Sequence, residues 1–94
     1  MRASRQAGFV LVHITGEDVS RFNRQFPCSE VPDGCDLLIE LDSRNGDLVN
    51  ITAHLEGGEY VDSSEIDGSA LLALCNDVNN FAVGAGLLPQ WAKR

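Results

Sequence analysis

The stretch CDLLIELDSRNGDLVNITAHL, residues 35–55, decides the fold. In its first half Leu37, Ile39 and Leu41 alternate with Asp36, Leu38 and Glu40. Such a period of two puts the apolar row on one side of an extended chain and argues for a strand with a buried face. The five residues Asp42 to Gly46 read as a loop, and their Asn-Gly pair is the dipeptide that tight hairpin turns favour. Alternation then resumes, with Val49, Ile51, Ala53 and Leu55 on one side and Leu48, Asn50, Thr52 and His54 on the other. The segment predicts a β-hairpin with Leu37, Ile39, Leu41, Val49, Ile51, Ala53 and Leu55 turned inward.

Upstream, Phe9, Leu11 and His13 alternate with Val10, Val12 and Ile14 in a β-branched run, which predicts a strand at residues 8–14. Residues 1–7 (MRASRQA) have no periodicity and read as a flexible N-terminal tail. Thr15 is placed to cap a helix whose first turn holds Glu17 and Asp18, where the helix dipole favours acids. Val19, Phe22 and Phe26 share one face of that helix, and Pro27 stops it by disfavouring the α conformation before it. The following CSEVPDG is turn chemistry.

Downstream of the hairpin, Glu56 to Asp67 reads as a polar loop with five acids and no base. Leu71, Leu74, Cys75, Val78, Phe81 and Ala82 then recur at helical spacing, with Asp67 or Ser69 as cap and Gly84 to Gly86 as stop. Leu87, Leu88 and Trp91 are expected to return to the core. The fold class that results is α+β, in the order β-α-β-β-α. It is a three-stranded antiparallel sheet with two helices packed on one face, in a single domain over residues 8–94.

The chain has 94 residues and an apolar fraction of 44%, enough for one core and ordinary for a globular protein. No run approaches the roughly 20 apolar residues that span a bilayer, and no secretory leader is recognisable. Three cysteines at wide spacing (Cys28, Cys35, Cys75) make a poor disulfide framework. A cytoplasmic location is expected, and Asn50-Ile51-Thr52 is then a chance glycosylation sequon inside a strand.

Charge is strongly segregated. From Glu30 to Asp77 twelve carboxylates face the single base Arg44, a net −11, while residues 1–29 and 78–94 carry +2 each. A field of this sign repels phosphate and anionic lipid and attracts basic protein surfaces at long range. Direct nucleic-acid binding and membrane binding are therefore not expected. The partner-binding surface suggested by the pattern comprises Glu40, Asp42, Asp47, Glu56, Glu59, Asp62 and Glu65, with Tyr60 as apolar anchor beside Val61 and Ile66. Carboxylates so arranged would imitate a phosphate track and occupy a basic groove that normally receives nucleic acid.

Catalytic and metal-binding signatures are weak. Cys28 could be activated only by His13 or His54, and it follows a helix C-terminus, whose negative end raises a thiol pKa. Cys75 belongs to an apolar stripe. Cys28 and Cys35 lack zinc spacing, and the stretch from Asp42 fails as a calcium loop because Arg44 and Ala53 occupy ligand positions. Gly84 and Gly86 follow a helix where a phosphate loop would open one. No cofactor, metal or enzymatic activity is expected. Arg21 and Arg24 with the Cys28-Ser29 turn form an alternative ligand-binding site, for a small anionic signal molecule between subunits of a homo-oligomer.

RFNRQFPCSEVPDG (Arg21 to Gly34), NGDLVNIT (Asn45 to Thr52) and DGSALLALCNDV (Asp67 to Val78) together resemble a family of small uncharacterised proteins encoded by phages and other mobile elements. That family joins a Phe-Asn helix to an aromatic-Pro-Cys-Ser turn, an NGDLVD-type hairpin and a DGxAL helix. The likeness covers about residues 12–82, with Phe26 where the family pattern has tryptophan and Asn50 where it has aspartate. It implies a phage or prophage accessory protein, acting in the host cytosol. Small acidic inhibitors of host defence, anti-CRISPR proteins among them, and structural or assembly accessory proteins both fall in that class.

Overall fold

The computed structural model of the chain describes residues 1–6, 8–45 and 47–79 and, among these, every side chain but those of 28 and 76–79. Five strands and two helices follow in the order β1 (Arg2–Gln6), β2 (Phe9–Ile14), α1 (Val19–Gln25), β3 (Leu37–Arg44), β4 (Asp47–Leu55), β5 (Tyr60–Val61) and α2 (Gly68–Asn79). All neighbouring strands are antiparallel, and the sheet order is β1-β2-β3-β4-β5. The fold is α+β as expected, but the sheet has five strands where three were predicted, and the order is β-β-α-β-β-β-α.

Each extra strand sits where sequence pattern was poorest. Residues 1–6 were expected to be a loose tail, yet Arg2–Gln6 pairs with β2 from Arg2↔His13 to Gln6↔Phe9. An edge strand needs only one inward row, here Met1 and Ala3, and its polar remainder carries no alternation to detect. β5 is two residues long and pairs Val61 with Ala53 and Tyr60 with His54 inside the segment expected to be loop. Its hairpin closes through Leu55 N–H to Glu59 O at 2.7 Å and Gly58 N–H to Leu55 O at 2.9 Å.

The central hairpin forms with longer strands and a shorter turn than predicted. Arg44 pairs with Asp47, so Asp42 to Arg44 belong to β3, and Asn45 turns the chain with a φ of +57°. Asp42 pairs with Asn50 but Ser43 with Leu48. Val49 is the extra residue of a β-bulge, which reverses the alternation on its turn side. The expected faces of Leu48 and Val49 are thereby exchanged: Leu48 packs against the core while Val49 is 57% exposed.

One row across the covered face reads Ala3, Val12, Ile39, Ala53 and Val61, each the Cα partner of the next. All but Val61 are buried, and they join Ile14, Leu37, Leu41, Val19, Phe22, Phe26, Val31, Leu71, Leu72 and Cys75 in one cluster. Both helices thus pack on one face. Burial of each Val, Leu or Ile there contributes about 1.5–3 kcal/mol. α2 also packs against β1. Its buried stripe is Gly68, Leu71, Leu72 and Cys75, with Leu74 half-buried, so Leu72 joins the expected inward positions. The expected stripe positions Phe81 and Ala82, the Gly84 to Gly86 stop and the return of Leu87, Leu88 and Trp91 lie outside the described residues.

Local polar contacts set the connections. Thr15 makes no side-chain cap; a 3-10 turn, Gly16–Asp18, leads into α1. Asp67 caps α2, its Oδ1 accepting from Ser69 N–H at 2.9 Å and Ala70 N–H at 3.4 Å. Asn23 on α1 holds the chain after the 3-10 turn Pro27–Ser29, donating to Val31 O at 2.7 Å and accepting from Val31 N–H at 3.1 Å.

Phe22 is fully buried, with its ring centroid 5.1 Å from that of Phe26. Phe22→Ala is expected to lower unfolding free energy by about 3–5 kcal/mol, and Val49→Ala by less than about 1 kcal/mol, in denaturant melts. Equal losses would contradict the bulge.

Candidate functional site

The sheet face away from the helices is built by the alternate residues of the same strands. One row runs Arg2, His13, Leu38, His54 and Tyr60; the next Ser4, Leu11, Glu40 and Thr52; the third Gln6, Phe9, Asp42 and Asn50. Phe9, Leu11 and Leu38 are half-buried, as are Glu40 and Asp42. Asp47 and Arg44 are cross-strand partners beyond Asp42, and both are exposed. Among the described residues neither Glu40, Asp42 nor Asp47 has a hydrogen bond or ion pair from its side chain.

A second surface lies at the β4–β5 end. Glu56 and Glu59 are exposed in the turn, and Tyr60, 81% exposed, stands with its ring edge-on to His54 at 6.5 Å between centroids. Asp62 and Glu65 follow, also exposed. The segment is tied down rather than loose: Ser63 Oγ donates to Ile51 O at 3.0 Å, and Asp62 Oδ1 accepts from Ser64 N–H at 2.9 Å. That N–H holds the Asp62 carboxyl below its ordinary pKa.

The acids predicted as one track therefore divide between two surfaces. Glu40, Asp42 and Asp47 lie on the sheet face away from the helices, with Arg2 and Arg44 at its margins, whereas Glu56, Glu59, Asp62 and Glu65 form a rim at the β5 edge, and Tyr60, the last residue of the first row, stands where that face meets the rim. Of the three expected anchors only Tyr60 is available, because Val61 turns inward and Ile66 is buried in the core. Charge is nevertheless ordered across the sheet. Arg2 and Arg5 are on edge strand β1, and at the other edge Glu56 and Glu59 lie in the β4–β5 turn while Asp62 and Glu65 follow β5.

A third constellation escaped sequence reading because its parts are 23 residues apart in the chain. Asp36, just before β3, accepts from Gly16 N–H at Oδ1, 2.9 Å, and its Oδ2 lies 3.1 Å from His13 Nε2. The Gly16 N–H, and secondly the imidazole, hold the Asp36 carboxyl below its ordinary value. Gly34, with a φ of +82°, turns the chain so that its carbonyl lies 2.6 Å from where a Cβ on Gly16 would be. A glycine at position 16 is what permits this approach. Thr15, Gly16, Glu17, Gly34 and Asp36 line a shallow cleft of about 560 Å³.

His13 and His54 are on the open face, whereas the Pro27–Ser29 turn that carries Cys28 packs with Phe26 and Val31 on the covered face. The side chain of Cys28 lies outside the described residues. Burial pushes the Cys75 thiol up to about 12, keeping it protonated in the core. In the alternative ligand site Ser29 is buried, its Oγ donating to Asp62 O at 3.4 Å, while Arg21 and Arg24 are exposed on α1. Ser29 is thus engaged within the fold, whereas both arginines face solvent. Among the described residues no group of three or more His, Cys, Asp or Glu side chains is placed to hold a metal ion, and no helix is long and apolar enough to cross a membrane.

No protein-family model, no curated protein and no solved structure matches the chain.

Because Asp36 titrates below its ordinary 3.8 in the fold, its stabilisation is fully present above that value and is lost as pH falls through the lower folded value. Asp36→Ala is expected to melt below the parent protein at about pH 7, with the gap closing as pH falls through the lowered Asp36 value. Calorimetric melts check this; a gap that widens on acidification contradicts the assignment. Gly16→Ala, which must displace the Gly34 backbone, should cost about 1–3 kcal/mol.

Proposed function

We propose that this protein is a non-enzymatic interaction module whose acidic rim docks onto a basic protein surface. The observation that carries this reading is the exposed ring of Tyr60 set among Glu56, Glu59, Asp62 and Glu65. Long-range attraction from the carboxylates would speed association and weaken with salt. The aromatic ring would supply the desolvated contact that slows dissociation. A basic surface of that kind is the groove of a protein that handles nucleic acid, which the rim would occupy in place of phosphates. The finer reading is inhibition of host defence machinery by a phage-encoded protein, supported by the resemblance of the helix, turn and hairpin motifs to the mobile-element family.

Several features support the non-enzymatic part. The imidazoles and the Cys28 turn are on opposite sides of the sheet, and the Asp36 oxygens are occupied by Gly16 and His13. The small-anion reading loses Ser29 to an internal contact.

Tagged protein incubated with bacterial lysate at low and moderate salt is expected to capture a basic partner in a salt-sensitive manner. Against that purified partner, Glu56→Lys with Glu59→Lys should slow association, and Tyr60→Ala should weaken binding by about 2 kcal/mol or more through faster dissociation. Surface plasmon resonance separates the two rates. Absence of a salt-sensitive basic partner, or a partner indifferent to all three substitutions, overturns the reading.

A further inference from the structure

The open face of the sheet is a second docking surface, and we infer that it receives an arginine-bearing apolar segment of a partner protein. Phe9 and Leu11 are successive outward residues of β2 and Leu38 lies diagonal to Leu11 on β3, all three half-buried. The Cα partner of Phe9 is Asp42 and that of Leu11 is Glu40, so each carboxylate stands directly beside an apolar side chain. Both carboxylates are half-buried, and neither has a side-chain hydrogen bond or ion pair among the described residues. A carboxylate partly stripped of water next to hydrocarbon gains most from a donor that also covers the hydrocarbon. A guanidinium does both, forking onto the carboxylate while its plane stacks on an aromatic ring.

A second copy of this chain is the other occupant to weigh, and charge decides against it. Glu40 lies on the central strand in the middle of the three rows. Any twofold axis lying between two such faces near their centres brings Glu40 towards its own twin across a drying interface, where like charges repel strongly. Arg2 and Arg44, at the margins, are not placed to relieve that pair. The face is complementary to a partner with cations at its centre.

The surface adjoins the rim only at the Tyr60 end of its first row, and it stands or falls by its own test. The ¹⁵N-labelled full chain is titrated with an acetylated, amidated Leu-Arg-Leu-Arg peptide, with Leu-Lys-Leu-Lys and Leu-Glu-Leu-Glu for comparison. Shifts are expected at Phe9, Leu11, Leu38, Glu40 and Asp42 with the arginine peptide, weaker ones with lysine and none with glutamate. Glu40→Gln with Asp42→Asn should reduce apparent affinity about tenfold, while Glu56→Gln with Glu59→Gln leaves these shifts in place. Shifts confined to the rim, equal responses to arginine and glutamate peptides, or self-association of the free protein through this face overturn the inference. The peptide series reads out on the unmodified chain, so it holds even where the double substitution disturbs folding.

Discussion

The structure depends on the register of β2 against β3, which sets Val12 opposite Ile39 and leaves Leu11 opposite Glu40. Because side chains alternate with a period of two, a slip of one residue would carry Glu40 and Asp42 into the helix-covered core and expel Ile39 and Leu41. Burying unpaired carboxylates is costly enough to exclude that arrangement. The remaining strands inherit their faces from this pair: β1 through Ala3 on Val12, and β4 through Ala53 on Ile39.

What was legible followed from that same alternation. Leu37, Ile39 and Leu41 were readable as one apolar row from period alone, and all are buried; the alternation of Phe9, Leu11 and His13 with Val10, Val12 and Ile14 marked a strand without choosing its inner face, which the fold gives to Val10, Val12 and Ile14. Phe22 and Leu71 were readable from helical spacing. β1 was not, because an edge strand buries so little that Arg2, Ser4, Arg5 and Gln6 follow no apolar rhythm. Nor was the bulge at Val49, since two adjacent apolar residues, Leu48 and Val49, suit either face. The anchor role given to Ile66 failed for a related reason: one apolar residue among acids looks like a surface anchor until the chain is seen to fold it back into the core.

The candidate surfaces divide in the same way. Their acidity was plain from composition, but their separation into an open face and a rim is a tertiary property, produced by the β4–β5 turn and the return of Asp62 to Ile66 beneath the sheet edge. The Asp36 corner depends on contacts between Gly16, His13 and Gly34 that no local pattern announces. Both of its carboxylate oxygens are engaged in holding the end of β2 to the start of β3. Glu40, Asp42 and Asp47 on the sheet face away from the helices have no such side-chain partner among the described residues.

The central claim is that, among the described residues, the helices cover one face of this sheet and leave the other uncovered, with β2 and β3 in the stated register. Solvent paramagnetic relaxation of methyl-labelled protein by a soluble nitroxide tests it most directly. Methyl signals of Leu11 and Leu38 should broaden strongly while those of Val12, Ile39 and Leu72 are spared. Equal broadening of both sets, or protection of Leu11 with exposure of Val12, would contradict the account.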